Sequence, residues 1–246
     1  MVLCHRLKRL LPFLLLSPAL AYASKGLSAP RHDLSVQLGL GYGATTGTTN
    51  TRTLNSRDRV RYGKRLWRYT GRLSYNYVKS AGQVSANRVD INAKVARYLS
   101  GEKENFFLLA FRYDRNPFDG YRHYQVESVG AGHRIVRHGD MRLTAEGGVG
   151  FRQNFFLAGG SQNVPAVRVA LNYRWKVGYK SIFSERLETL ASTTGTLVST
   201  TTGLTTPIHG SLALKMSEIV DHYTSPPAGF TSTSTYTTVD LIDSFT

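Results

Sequence analysis

Residues 167–176, VRVALNYRWK, alternate without a break between bulky apolar side chains and polar or small ones. A period of two residues places successive side chains on opposite faces of a β-strand, so this stretch predicts a strand with one apolar and one basic face. Residues 34–43, LSVQLGLGYG, show the same alternation with glycines on the polar side. It recurs in segments 67–77, 88–95 and 142–152, which predicts an all-β protein.

The amino-terminal residues have the pattern of a secretory signal peptide. A basic start is followed by an apolar run over residues 10–20 and then by Ala21-Tyr22-Ala23, whose small residues suit signal peptidase. The run is about half the roughly 20 residues that a membrane anchor needs, so we expect cleavage after Ala23 rather than anchoring. The single cysteine, Cys4, lies in this leader, which argues against a disulfide framework or a cysteine-based zinc site.

The alternating segments fit two architectures, which differ in whether the polar face of each strand lies on the outside of the protein or in its interior. In a soluble sandwich the apolar faces form the core, whereas in a membrane barrel they meet the lipid. No later segment is apolar over the length of a spanning helix, so only a closed barrel could cross a membrane. The segments also exceed the roughly 9–11 residues of a tilted membrane strand, whereas soluble strands average about 5–6. The twelve strand candidates are 33–45, 49–63, 66–80, 84–99, 105–115, 121–136, 141–155, 163–176, 180–193, 196–208, 211–224 and 233–246.

Connections and aromatic residues favour the barrel. Tight connections such as 63–65 and 100–102 alternate with the longer loops 116–120, 157–165 and 225–230, as in bacterial outer-membrane proteins. Aromatic residues cluster near the strand ends, where interfacial girdles lie. We therefore predict a transmembrane antiparallel up-and-down β-barrel of about twelve strands in the cell outer membrane. The predicted parts are a signal peptide at 1–23, a short periplasmic segment at 24–32 and the barrel at 33–246.

One strand breaks the alternation. In segment 121–136 the apolar residues Tyr124 and Val126 are followed by Val129 and Ala131, so the phase changes near Ser128. A β-bulge is the simplest structure that restores the phase, and we expect one there.

Short motifs recur in a fixed order along most of the chain. They are LGLGY at 38–42, TGTTNT at 46–51, FRYDR at 111–115, FDGY at 118–121, SLALK at 211–215, PP at 226–227 and TTVDLIDSF at 237–245. Together they resemble the DUF481 family of salt-induced outer-membrane proteins. The resemblance implies a Gram-negative outer-membrane β-barrel without an established activity, linked by the family's name to salt or envelope stress. It supplies no catalytic residue.

The end of the chain departs from that family's pattern. The terminal aromatic residue expected of a barrel-assembly signal is here Phe245 followed by Thr246, and Asp243 stands where an apolar or aromatic residue is usual. The departure bears on how efficiently the barrel-assembly machinery would recognise the chain.

The polar faces of the predicted strands are strongly basic. If the bulky faces meet hydrocarbon, the basic residues that line the lumen are Arg68, Arg72, Arg88, Lys94, Arg112, Arg142, Arg152, Arg168 and Arg174. Two interpretations follow. Arginine–carboxylate pairs fill and brace a closed lumen, because buried charges need partners, or the excess of basic groups lines a water-filled passage that prefers anions.

The net charge of +15 and the leader together limit the partners. A basic protein sent out of the cytoplasm does not meet nucleic acid, so we expect outer-membrane lipids, lipopolysaccharide, the barrel-assembly machinery and small anions. The histidines lack metal-ligand spacing, and the glycines at 39, 41 and 43 precede no helix that would complete a phosphate loop. We therefore expect no metal and no cofactor.

Catalysis has one weak candidate. His222 stands beside Asp221 and near Ser225, but sequential neighbours on a strand point to opposite faces, so we expect no enzyme. The alternatives to a small anion-preferring channel are an outer-membrane lipid-modifying enzyme, a structural envelope protein with a closed lumen, and a soluble periplasmic sandwich that binds an anion.

Overall fold

The computed structural model describes residues 33–46, 50–178 and 180–245, which form a closed antiparallel barrel of twelve strands. The expectations for the segments 1–23 and 24–32 lie outside the described residues. The strands are β1 (Asp33–Thr45), β2 (Thr51–Lys64), β3 (Trp67–Ser80), β4 (Gln83–Tyr98), β5 (Asn105–Arg115), β6 (Tyr121–His138), β7 (Met141–Phe156), β8 (Ser161–Val177), β9 (Ser181–Ser192), β10 (Gly195–His209), β11 (Leu212–Tyr223) and β12 (Thr233–Phe245).

Every strand pairs with its neighbours in sequence, and β1 pairs with β12 to close the barrel. The closing seam runs from Val36 opposite Phe245 to Leu40 opposite Leu241. An even number of strands puts the start of β1 and the end of β12 at one end of the barrel, called here the termini end. The opposite end, called the loop end, carries a 3-10 turn at Pro117–Asp119. None of the helical structure in the described residues has the length and hydropathy of a membrane-crossing helix.

The prediction of an all-β, twelve-strand barrel is confirmed, with two local corrections. The loop expected at 157–165 is wrong in its second half, because β8 begins at Ser161 and includes Pro165 opposite Phe151. The bulge expected near Ser128 is also wrong, since the β6–β7 register is continuous there and shifts only at Tyr121/His123 and Arg134/Val136.

The strand phase is kept because the barrel interior is itself apolar at this level. Tyr124 and Val126 point inward and pack with Leu190, Leu197 and Tyr223 in a buried cluster. On the lipid side the same strand exposes Val129. The change from inward to outward apolar residues therefore reflects two apolar environments and not a slip of the backbone.

The outer wall exposes bulky apolar side chains throughout its length. Leu40 and Leu109 are each 62% exposed and Val149 is 61% exposed. Aromatic rings pair toward the termini end, where Trp67 stacks on Tyr69 with centroids 6.3 Å apart. An apolar exterior around a charged interior is the arrangement of an outer-membrane β-barrel, and this protein has that fold.

Glycine is required where β6 and β7 approach most closely. A Cβ atom on Gly150 would lie 1.8 Å from the carbonyl oxygen of Glu127, and one on Gly130 would lie 2.1 Å from that of Gly147. Both distances are far inside van der Waals contact, so no side chain fits at either position unless the strands move apart.

Candidate functional site in the barrel interior

Charged side chains on opposite walls meet inside the barrel. On β4, Arg88 contacts Asp114 of the neighbouring β5 at 2.6 Å and Asp221 of β11 at 2.7 Å. Strands β4 and β11 are not neighbours, so the second contact crosses the interior. The two carboxyl groups are almost fully buried, at 1% and 0% exposed, and Ser199 donates a hydrogen bond to Asp221.

Further arginines extend these contacts around the interior. Arg112 reaches Asp90 at 2.9 Å and Glu188 at 3.4 Å, and Arg168 bridges Glu146 at 3.1 Å and Glu188 at 2.8 Å. We call the complete set the ion-pair network; its basic members are Arg88, Lys94, Arg112, Arg168 and Arg186, and its acidic members are Asp90, Asp114, Glu146, Glu188 and Asp221. The basic and acidic members are equal in number, so the network is formally neutral.

An aromatic cage holds one more arginine on the loop-end side of the network. The guanidinium carbon of Arg152 lies 4.6 Å from the ring centre of Tyr124, 5.3 Å from that of Tyr121 and 5.6 Å from that of Tyr223. Its Nε donates a 2.7 Å hydrogen bond to Asn154. Cation–π contacts therefore stabilise this charge without a carboxylate.

Two loops cover the loop end. Asn116 donates to Asp119 at 2.7 Å and to the Tyr236 hydroxyl at 2.6 Å, and Ser234 donates to Asp119 at 2.8 Å. Burial raises the pKa of the Asp119 carboxyl group above its ordinary value, and the hydrogen bonds oppose that rise. A Cβ atom on Gly120 would lie 2.8 Å from the Phe230 ring, so the β11–β12 loop packs directly on the 3-10 turn.

Toward the termini end the interior opens into a cavity of about 380 Å³. It extends from Ser199 and Tyr236, beside the ion-pair network, to Ala213 and Ser244 near the termini end. Its basic lining residues outside the network, which we call the basic cavity group, are Arg57, Arg59, Arg61, Arg72, Arg174 and Lys215. A void of about 30 Å³, the space of about one water molecule, lies beside Arg72, Arg112 and Arg186.

The basic cavity group is mostly unpaired. Arg57 lies 3.6 Å from Asp240, while the other five form no ion pair within the described residues. Arg72 also has a buried Nε without a hydrogen-bond partner. Arg59 and Arg61 of β2 line the same cavity as Arg174 of β8 and Arg186 of β9, so like charges lie on opposite walls of the cavity.

The nine basic residues predicted to line the lumen occupy five different environments. Arg88, Lys94, Arg112 and Arg168 belong to the ion-pair network, and Arg152 occupies the aromatic cage. Arg72 and Arg174 line the cavity. Arg68 donates a 2.7 Å hydrogen bond to the Tyr98 hydroxyl, and Arg142 is exposed near the start of β7.

Sequence reasoning missed the part of the cavity that β2 supplies. Arg57, Arg59 and Arg61 alternate with Asp58 and Val60. Because Asp58 is charged although it faces outward, the segment does not alternate between apolar and polar residues, and its two-residue period was overlooked. Their spacing was the signal that could have assigned them to the interior.

The enzyme candidate is not assembled. Asp221 points inward to Arg88, whereas His222 is exposed on the outer wall and its Nδ1 lies 2.9 Å from the Thr233 hydroxyl. Within the part of the chain that the structure describes, no group of three or more His, Cys, Asp or Glu side chains could hold a metal ion.

Comparison with known proteins gives a family and several similar folds. The family model described as "Protein of unknown function, DUF481" matches residues 38–245. No curated protein matches the chain. Solved structures similar to it include the NanC porin, with 9% identity over 85% of this chain and 98% of that chain and a TM-score of 0.49. The translocator domain of the autotransporter NalP from Neisseria meningitidis has 11% identity over 92% of each chain and a TM-score of 0.49. An anion-selective porin from Comamonas acidovorans has 9% identity over 87% of this chain and 100% of that chain, with a TM-score of 0.39.

Proposed function

The chain belongs to the DUF481 family, described as proteins of unknown function, and from the barrel interior we propose that it is a narrow outer-membrane pore that prefers small anions. Outer-membrane lipid and lipopolysaccharide around the wall, and insertion by the barrel-assembly machinery, are parts of the same proposal.

The observation that supports anion preference is the unpaired positive charge around the cavity. Because the ion-pair network is neutral, the excess positive charge of the interior resides mainly in the five unpaired members of the basic cavity group, Arg59, Arg61, Arg72, Arg174 and Lys215. Neighbouring cations without counter-charges repel one another, and an entering anion relieves that repulsion. Rings of arginine and lysine lower the barrier for anions and raise it for cations.

The observation that supports a narrow pore is the position of the network between the cavity and the loop end. Arg88 contacts carboxylates on β5 and β11, and Arg112 contacts carboxylates on β4, β5 and β9. Together with Arg168 they cross the interior. The void beside them holds about one water molecule. An anion that passes must exchange contacts with these cations one at a time, so we expect a small conductance.

Recording from the purified, folded barrel in a planar bilayer tests the proposal. Under a KCl gradient the reversal potential should show that chloride carries most of the current. The double variant Arg59→Gln/Arg174→Gln should shift the reversal potential toward the value of a pore that does not discriminate between chloride and potassium. Arg52→Gln, at an exposed site on the same strand as Arg59, should leave the reversal potential unchanged. The absence of conductance steps, or a current carried by potassium, contradicts the proposal.

A structural envelope protein with a closed lumen is the second candidate, and the balanced charges of the ion-pair network favour it. In that case the wild type is silent in bilayers, and replacements in the network lower barrel stability without producing current. Expression measured with and without added salt tests the link to salt stress that the family resemblance suggests.

A further inference from the structure

The outer wall of the barrel has two chemically different faces. On one side a row of paired residues crosses seven strands, from β3 to β9, without a charged side chain. This apolar row is Tyr69, Val95, Leu109, Val129, Val149, Val167 and Ala191. Its members have the exposure expected of side chains that face hydrocarbon, as for Leu109 at 62%.

On the other side a row of paired residues crosses β9 to β12 and is polar throughout. Glu185 pairs with Thr202, Thr202 with Glu218, and Glu218 with Thr237. These four residues are called here the polar row. They alternate with the inward residues of their strands; Glu218 and Thr237 are exposed, and Glu185 and Thr202 are half-buried. Neither carboxyl group forms a hydrogen bond within the described residues.

The polar row lies within the apolar belt and not at its edge. The adjacent row on the termini side is entirely apolar and consists of Phe183, Leu204, Met216 and Val239. The adjacent row on the loop side mixes apolar residues with threonines and consists of Leu187, Thr200, Val220 and Thr235. Two more acids face outward farther from the row, since Asp243 near the end of β12 pairs with Leu38 and Asp58 of β2 pairs with Leu73.

Carboxyl groups in contact with lipid chains lose their hydrogen bonds to water and gain none in return. The cost applies to both glutamates of the polar row, which lie together on β9–β12, whereas strands β3–β8 turn a single carboxyl group outward, that of Glu127 between Phe111 and Phe151. We propose that the face formed by β9–β12 packs against a second copy of this chain, so that the polar row is covered by protein.

The chemistry of the row favours a second copy over another partner. Hydroxyl groups donate and accept hydrogen bonds and carboxyl groups accept them, so the threonines of one copy can donate to the glutamates of the other. A two-fold axis along the membrane normal brings the same patch of both copies together. Because membrane strands are tilted by about 35–45°, the two rows cross, and they meet near Thr202 and Glu218.

Size and shape are compatible with such a contact. Four strands spaced about 4.8 Å apart and a belt about 25 Å tall give roughly 500 Å² per copy. Two such faces approach the roughly 1,000 Å² that a specific interface needs. Small residues let membrane segments approach closely, and Thr202 and Thr200 supply them at the centre of the face.

Site-directed cross-linking tests the interface in membranes. In a Cys4→Ser background, Thr202→Cys should give a cross-linked dimer with a short bismaleimide, and Val149→Cys on the apolar row should remain monomeric. In lipid nanodiscs or mild detergent, the native mass of the wild type should be that of two chains. The double variant Thr202→Leu/Glu218→Leu should have the mass of one chain and keep the heat-dependent gel mobility of a folded barrel.

Three outcomes would contradict the proposed contact between two copies. A monomeric wild type without cross-linking at position 202 overturns the proposal, and so does cross-linking of that position to a different protein. If the polar row faced lipid, Glu218→Leu would raise the urea midpoint of unfolding and leave the native mass unchanged. These measurements do not involve ion conduction, so they separate this inference from the proposed pore.

Discussion

Replacing Arg88 with methionine removes the cation that joins two walls of the barrel interior. In the folded protein Arg88 contacts Asp114 at 2.6 Å and Asp221 at 2.7 Å. After the replacement Asp114 still has Arg112 at 3.4 Å, whereas Asp221 keeps only the Ser199 hydroxyl. The variant therefore leaves the fully buried carboxylate of Asp221 without a cationic partner.

The size of the effect follows from that stranded charge. Removing one partner of a buried ion pair costs about 3–5 kcal/mol of the free energy of unfolding, because the other charge stays buried without compensation. Adding Asp221→Asn to the Arg88→Met chain removes the charge. The double variant should therefore recover about half of the loss or more and keep a deficit of about 1–3 kcal/mol from imperfect hydrogen bonding.

Urea unfolding of the barrel in lipid vesicles measures these differences. Trp67 and Trp175 lie on the outer wall, so their fluorescence reports the loss of lipid contact. Arg52→Met is the matched control, since Arg52 is exposed and its replacement should change the free energy by less than about 1 kcal/mol. If Arg88→Met behaves like Arg52→Met, or if Asp221→Asn worsens it, the reasoning about a stranded carboxylate is wrong.

Three further predictions concern packing and pH. Gly150→Ala should lower the free energy of unfolding by about 1–3 kcal/mol, because its Cβ would overlap a carbonyl oxygen at 1.8 Å, whereas Gly147→Ala meets nothing within 4 Å and should be neutral; urea midpoints compare the two. Leu190→Ala should cost about 2–5 kcal/mol by opening a cavity in the interior cluster, and equal losses in the lipid-facing control Leu204→Ala would contradict that explanation. Since burial raises the pKa of Asp119, the folded state binds its proton more tightly than the unfolded chain, so this group's contribution to stability is greatest at low pH and falls as the pH rises from the ordinary value of about 3.9 through the raised one. Urea midpoints measured against pH should lose this slope in Asp119→Asn, and an unchanged slope would exclude Asp119 as its source.

Most of the fold could be predicted from the alternation of apolar and polar side chains. Strands such as β8 have one bulky and one basic face because the chain is periodic there, and periodicity is a local property that the sequence contains completely. Strand length then decided between a sandwich and a barrel. At β6 the rule that apolar side chains face the lipid failed for Tyr124 and Val126, which point into an apolar part of the interior. The sequence of one strand does not reveal whether the interior opposite it is apolar.

The interior chemistry depended on residues far apart in the chain. The sequence by itself determined that basic side chains such as Arg88 and Arg112 face away from the bulky ones. Only the closed barrel decided that Arg88 contacts Asp221 of β11 and so becomes part of a neutral network, while Arg59 lines one cavity with other unpaired cations and makes it positively charged. Pairing across the interior depends on the register and closure of twelve strands, and these are set by contacts around the whole sheet and not by any single segment.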